Sequence, residues 1–307
     1  TPPSIDTINF SWNNILNSTD VKSEQEIYIT TTGVENGEII ELEFNEVIYI
    51  GEIQSASTTI TISSNILQKL SDGNYIMTAD ISDKANNPAI TKTKAISVHI
   101  TPPIIESINF SWSEILNSRD IMNQQKIYIN TSGVQDNQEL TLKLNGIKYT
   151  SAIQSAIGII DIPSINLQEL SNGNYTITTD VSDEAGNHAT KSEAIIVDLL
   201  ASITSITFSW EDVLNSMHVK SQQTINIMTL NVEDGRELTL TLNNKKYTGS
   251  IEKNIVSINI PSINLQELSN GNYTVITEVS DLAGNNAIKS ETIIVDLLAS
   301  ITSITFS

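Results

Sequence analysis

The sequence predicts an all-β chain of tandem two-sheet sandwiches, on three observations: a motif returning at fixed period, alternating strand patterns, and turn residues spaced between them. Phe-Ser-Trp stands at residues 10–12, 110–112 and 208–210, and Phe306-Ser307 begins a fourth copy, at offsets of 100, 98 and 98 residues. A fixed period of this kind governs how every other motif is read. Residues 162–176 recur unchanged at 260–274, and residues 195–209 at 293–307, which points to recent duplication within a longer array. The units are therefore 1–100, 101–200 and 201–298, with 299–307 as the first strand of a further unit. Because the chain ends inside the motif, it is expected to be an excerpt of a longer polypeptide.

Within a unit, apolar residues alternate with polar ones. Leu140, Leu142 and Leu144 point one way and Thr141 and Lys143 the other; Leu238, Leu240 and Leu242 repeat the pattern, as do Tyr175, Ile177, Thr179 and Val181. Period-2 patterning with one apolar side marks half-buried antiparallel strands. Asn36-Gly37, Asn145-Gly146, Asp72-Gly73 and Gly186-Asn187 supply turn chemistry between strands, giving about seven strands per unit. Residues 64–70, 164–170 and 262–268 read as a helical turn before a corner. Tyr75, Tyr175 and Tyr273 then open the next strand in the tyrosine-corner position of an immunoglobulin-like Greek-key sandwich, so each hydroxyl is expected to bond to nearby backbone. The predicted fold is a linear array of seven-stranded sandwiches of this type.

With these motifs in view, the chain resembles the bacterial Ig-like repeats of giant surface adhesins and biofilm-associated proteins. The resemblance rests on Trp-x-x-x-Leu-Asn (residues 12–17, 112–117, 210–215), the turns near Gly37, Asn137 and Gly235, and Asp-x-Ala-Gly-Asn at 183–187 and 281–285. It also rests on the Val-Asp pairs at 197–198 and 295–296. The first unit departs from it with Asp83-Lys-Ala-Asn-Asn87. The resemblance implies an extracellular or cell-surface location, calcium at some domain junctions, and a stalk that holds a distal module away from the cell.

Composition narrows the classes of function. Thirty-six acidic against sixteen basic residues give a net charge of -20, which repels phosphate backbones and anionic lipid, so nucleic acid is not an expected partner. No apolar run approaches the roughly 20 residues that span a bilayer, so no membrane insertion is expected in this segment. With no cysteine, stability must come from cores and turns, with oxygen-bound cations left open as a further source. Catalysis has no visible home. The acid pairs Asp80/Asp83, Asp180/Asp183 and Glu278/Asp281 recur in every unit, His99, His188 and His218 share no position, and no nucleophile elbow or zinc motif is present. The chain is read as not an enzyme.

Strand order places the loop after a unit's first strand at the pole facing the next unit, and the Asp-x-Ala-Gly-Asn loop at the opposite pole. A junction then gathers six carboxylates between units two and three: Glu114, Asp120, Asp198, Glu233, Asp234 and Asp281. A hard cation taking six to eight oxygens would bind such a set, so calcium is the candidate ion; the bland alternative is solvated loop-tip acids. Asp20, Asp136, Asp183 and Asp296 are weaker candidates. The first junction has His99 where Asp198 and Asp296 stand, and Gln135 for Glu233, which predicts weaker cation binding and an exposed histidine. Trp12, Trp112 and Trp210 read as packing residues in preference to a sugar platform.

Three roles remain: a structural stalk whose partners are neighbouring repeats of the same chain; a segment of an extracellular or virion-associated filament with lateral self-association; and a ligand-binding or accessory module of a secreted enzyme. Recurring apolar residues on outer strand faces, such as Ile76 and Ile276, would favour the filament.

Overall fold

The computed structural model describes residues 2–298; the strand expected at 299–307 lies outside them. The first repeat holds β1 (Ser4–Phe10), β2 (Ile15–Asn17), β3 (Gln25–Thr32), β4 (Ile39–Phe44), β5 (Val47–Glu52), β6 (Ser57–Ile62), α1 (Ser64–Leu67), β7 (Gly73–Asp80) and β8 (Lys92–His99). One sheet has the order β1-β3-β6 and the other β2-β8-β7-β4-β5. These are the seven expected strands plus a short eighth. The Trp-x-x-x-Leu-Asn segment, expected as a loop, ends in this extra strand: β2 pairs parallel with β8, Asn17 opposite His99. Two chain segments that leave the repeat at the same pole are thereby tied together.

The second repeat runs β9 (Ile104–Phe110), β10 (Ile115–Leu116), β11 (Gln125–Ser132), β12 (Glu139–Leu144), β13 (Ile147–Ala152), β14 (Ile157–Ile162), α2 (Ser164–Leu167), β15 (Gly173–Ser182) and β16 (His188–Val197). The third runs β17 (Ser202–Phe208), β18 (Val213–Asn215), β19 (Gln223–Leu230), β20 (Glu237–Leu242), β21 (Lys245–Ser250), β22 (Ile255–Ile260), α3 (Ser262–Leu265), β23 (Gly271–Ser280) and β24 (Asn286–Asp296). Its sheets are β17-β19-β22 and β18-β24-β23-β20-β21.

Alternation does what the pattern predicts. Ile40, Leu42 and Phe44 of β4 and Leu238, Leu240 and Leu242 of β20 are buried in separate cores, each closed by a tryptophan, Trp12 or Trp210. All three tryptophans are buried, at 8%, 8% and 6% exposure, and each lies beside the phenylalanine two residues earlier, with ring centroids 4.3, 4.6 and 4.8 Å apart. The intervening serine bridges two strands, since Ser11 Oγ donates to Gln25 Oε1 at 2.7 Å and accepts from Glu26 N. The motif thus packs one ring pair inward and locks β1 to β3. The corner tyrosines bond as expected. Tyr75 and Tyr175 hydroxyls donate to the carbonyls of Ser71 and Ser171, and the Tyr273 hydroxyl accepts from Ser269 N.

By contact, the chain divides into two compact units, one holding residues up to 109, 127–160 and 177–193, the other 110–126, 161–176 and residues from 194 on. The division cuts through the second repeat and leaves each inter-repeat joint whole, the first joint in the first unit and the second joint in the second.

Candidate functional site

The residues that separate this chain from a row of independent sandwiches meet at the joints. At the first, the Asp183–Asn187 turn between β15 and β16 receives the β2 end of the first repeat. Asn187 N and Nδ2 donate to Asp183 Oδ1 and Oδ2, both at 2.8 Å. That pair of bonds fixes the amide plane, and the remaining capacity crosses the joint: Nδ2 also donates to the His99 carbonyl at 2.8 Å, and Oδ1 accepts from Ser18 N at 2.7 Å. Asn17 returns the contact by donating from Nδ2 to the Ala185 carbonyl at 3.0 Å. Its own Oδ1 accepts from Thr19 N and Asp20 N.

The second joint repeats this in the other unit. Asn285 Nδ2 donates to the Asp198 carbonyl at 2.8 Å, Asn285 Oδ1 accepts from Ser118 N at 2.8 Å, and Asn117 Nδ2 donates to the Ala283 carbonyl at 2.9 Å. Asn187 and Asn285 are 1% and 3% exposed, so these are satisfied polar groups in water-poor surroundings, where leaving one unpaired is costly. Three cross-joint bonds at about 0.5–1.5 kcal/mol each give a net tie of about 1.5–4.5 kcal/mol per joint. Asparagine is required because each side chain must donate and accept at once. The turn favours glycine through its backbone: Gly186 and Gly284 have φ of 83° and 87°, the left-handed region, and each lies at ordinary contact distance from the joint asparagine of the preceding repeat.

The six carboxylates predicted to gather at the second joint serve separate loops. Asp120 Oδ2 accepts from Asn117 N, Glu233 Oε2 from Leu282 N, and Asp234 Oδ1 from Lys253 N. Asp198 Oδ1 accepts from Asn172 Nδ2, and Asp281 is buried under the Asn285 clasp. Glu114 is exposed. The weaker candidates behave alike: Asp20 accepts from Asn17 N, Asp136 from Ser155 N, Asp183 from Asn187, and Asp296 from Asn270 Nδ2. Among the described residues no three acidic or histidine side chains stand together as a set of metal ligands.

His99 is half-buried, in contrast to the exposed linker histidine that the sequence predicts. Its Nδ1 lies 3.0 Å from Asp72 Oδ2 and its Nε2 3.2 Å from Asp183 Oδ2 of the next repeat. Gln135 fills the role of Glu233: its Oε1 accepts from Glu184 N at 2.8 Å, as Glu233 Oε2 does from Leu282 N at 2.7 Å. That bond needs an oxygen and no charge. Lys92, Lys191 and Lys289, not singled out in the sequence, each donate to a carbonyl of the repeat's first strand, at Asp6, Glu106 and Thr204. Their recurrence at one place in every repeat is the signal that could have found them.

No family model matches the chain, and no curated protein does. Among solved structures, the chain is similar to a "Ca2+-stabilized adhesin" that "helps an Antarctic bacterium reach out and bind ice", at 17% identity over 98% of this chain and 75% of that one, with a TM-score of 0.49. It is similar to a bacterial immunoglobulin-like domain from the M. primoryensis ice-binding adhesin, at 20% identity over 31% of this chain and 95% of that one, TM-score 0.25. It is also similar to the chicken CNTN1 FN1-FN3 domains, at 11% identity over 96% and 99% of the two chains, TM-score 0.30. Bacterial adhesin repeats and domains of a bird protein stand side by side here. The likeness is one of fold and does not choose a role.

Proposed function

We propose that this chain is a structural stalk segment of a longer extracellular bacterial surface protein or adhesin, in which Ig-like repeats of 1–100, 101–200 and 201–298 are joined by asparagine clasps. The observation that carries this reading is the repetition of one clasp at both joints, Asn187 on the His99 carbonyl and Asn285 on the Asp198 carbonyl. A spacer needs joints that resist bending, and a buried three-bond contact supplies resistance without a large interface. Catalysis has no part in this role, and the recurring acids are loop-closing acceptors.

The clasp holds by hydrogen bonds alone, and calcium at the junctions would add to it. For the filament reading, Ile76 and Ile276 do not recur, whereas exposed Ile157 and Ile196 of the second repeat return as exposed Ile255 and Ile294 of the third. Ile76, 65% exposed, aligns with Thr176 and Thr274, and Ile276, 43% exposed, aligns with Thr78 and Thr178.

Small-angle scattering of the whole chain with calcium and then with chelator tests the reading, alongside Asn187→Ala and Asn285→Ala. An extended particle unchanged by chelation and made flexible by either substitution is the expected result. Shortening on chelation would move the joint to a cation, and a compact particle under all conditions would end the stalk reading.

A further inference from the structure

One side chain bridges the first joint and has no counterpart at the second. His99 ends β8 of the first repeat, and its two ring nitrogens face carboxylates of different repeats. Nδ1 lies 3.0 Å from Asp72 Oδ2, at the corner before β7, and Nε2 lies 3.2 Å from Asp183 Oδ2, in the turn of the second repeat that carries the clasp. The Asp183 side chain is wholly buried. His99 Nε2 is enclosed without a hydrogen-bond partner, because Asp183 faces it with an acceptor. A neutral imidazole has one N–H and one lone pair. It can donate to Asp72 or to Asp183, and the acid it does not serve meets the lone pair. With Nδ1 donating to Asp72, a buried acceptor stands against a buried carboxylate, which is costly where water is scarce. The imidazolium has two N–H groups and satisfies both acids at once.

We propose that His99 is a proton-operated latch on the first joint: its imidazolium ties the corner of the first repeat to the turn of the second, and its neutral form holds only one of them. The latch adds to the asparagine clasp and rests on the reading of that contact as a joint. Asp183 belongs to the next repeat, so opening the joint takes away one of the two acids that the imidazolium serves. Closing and protonation therefore support each other. The tightening is present in full where His99 is protonated and is lost as pH rises through its titration. Histidine is the side chain whose charge changes between about pH 5 and pH 8, so the latch works near neutrality.

Among the described residues the charged groups around the ring are acids. Asp72 comes from the corner before β7 and Asp183 from the turn between β15 and β16. On the β2 side Asn17 lies opposite His99, and Asp20 accepts from Asn17 N. In the second repeat Glu184 follows Asp183, and its N–H is held by the uncharged Gln135. The ring is thus the group here that can become the cation. The second joint has Asp281 where Asp183 stands, but Asp198 in the place of His99 and Asn172 in that of Asp72, so it lacks the latch. His188 lies beside Asp180 within the second repeat, and His218 Nδ1 accepts from Asn215 N within the third; neither spans a joint. Mild acidification should tighten the first joint and leave the second as it is.

Amide hydrogen exchange of the whole chain, followed by NMR, reads each joint separately. Ser18 N donates to Asn187 Oδ1 across the first joint and Ser118 N to Asn285 Oδ1 across the second, so their protection factors, corrected for the pH dependence of free-peptide exchange, report opening. From about pH 8 to about pH 6 the protection of Ser18 should rise several-fold, bounded at about tenfold per pH unit for a single proton, while that of Ser118 stays constant. In His99→Gln, whose amide donates to one acid and takes no proton, the pH response at Ser18 should vanish. Asn187→Ala should strip protection from Ser18 at every pH. Protection unmoved by that substitution would remove the clasp reading and the latch with it. Protection that depends on Asn187 yet stays flat with pH, changes equally at Ser118, or keeps its pH response in His99→Gln would overturn the latch alone.

Discussion

Asn172 donates from Nδ2 to Asp198 Oδ1 at 2.8 Å, and the equivalent pair in the first repeat is an acid facing a histidine, Asp72 Oδ2 to His99 Nδ1 at 3.0 Å. The third repeat uses amide and acid again, Asn270 to Asp296 at 3.1 Å. Both positions change together so that each pair holds one carboxylate and one donor. The side chain at the first position also ties down the departing chain, since Asp72 accepts from Ile100 N and Asn172 from Leu199 N.

Mixing the two solutions should therefore be costly. Asn172→Asp sets a carboxylate against Asp198 and removes a hydrogen bond, a loss of about 1–2 kcal/mol at this partly exposed site. Adding Asp198→His rebuilds the pair of the first repeat and should recover most of that loss. A double-mutant cycle by urea unfolding measures the coupling, and additive effects would show that the two positions are independent.

Acid should weaken the first repeat through two of its carboxylates. Burial pushes the Asp72 carboxyl up, but hydrogen bonds from Ile100 and Thr101 and the neighbouring His99 outweigh it, and the net direction is down. Asp83 is held below the usual range by the side-chain and backbone N–H groups of Asn87. A depressed folded pKa gives stability that is fully present above the unfolded value of about 3.9 and is lost as pH falls through the lower folded value. Unfolding followed from pH 6 to about pH 2 should lose stability below about pH 4, with a shallower slope in Asp72→Asn and Asp83→Asn.

Much of this was legible in the sequence, and the omissions have two causes. Tyr75, Trp12 and the β4 alternation announce themselves because apolar periodicity and corner chemistry are strong signals. Strand order locates the joint, yet it points to carboxylates as the working groups and passes over the asparagines, since amides are common throughout an Asn-rich chain. What distinguishes Asn17, Asn117, Asn187 and Asn285 is recurrence at fixed repeat positions, the same mark that Lys92, Lys191 and Lys289 carry. The turn at Ser55-Ala56 was invisible for a different reason. Both residues have positive φ, 51° and 60°, but neither is a residue that favours it, and neighbouring strands impose the conformation.

Those imposed turns can be relaxed. Between β4 and β5 the turn is Asn45-Glu46 at φ 49° and 62°, where the second repeat has Asn145-Gly146 at 48° and 78°. A non-glycine residue in the left-handed region costs about 1–2 kcal/mol, part of which glycine returns as unfolded-chain entropy. Glu46→Gly should stabilise the first repeat by about 1 kcal/mol, and Ala156→Gly, at φ 65°, should do the same for the second. Calorimetry of the whole chain would register the gain, and a lowered transition would mean that the side chains contribute more than the strain removes.

The crossing of β5 over β6, and of β21 over β22, leaves room for only one sizeable side chain. A Cβ added to Gly51 would lie 2.7 Å from Thr58 Oγ1, one added to Gly249 would lie 2.5 Å from Val256 Cγ2, and one added to Gly158 would lie 2.3 Å from Leu140 Cδ2. The repeats share this space differently. Gly51 faces Thr58 and Gly249 faces Val256, while the second repeat has Ser151 and Gly158 at these positions, and Gly158 is crowded by Leu140 and Ile153. Close approach of two backbones is a recognised use of glycine within a strand. Gly249→Ala should therefore cost about 1–3 kcal/mol by overpacking, and Val256→Ala in the same chain should return part of it by vacating the colliding methyl. Urea unfolding of the single and double variants measures the coupling. A Gly249→Ala chain as stable as the parent would mean that the strands can part by several tenths of an ångström at no cost.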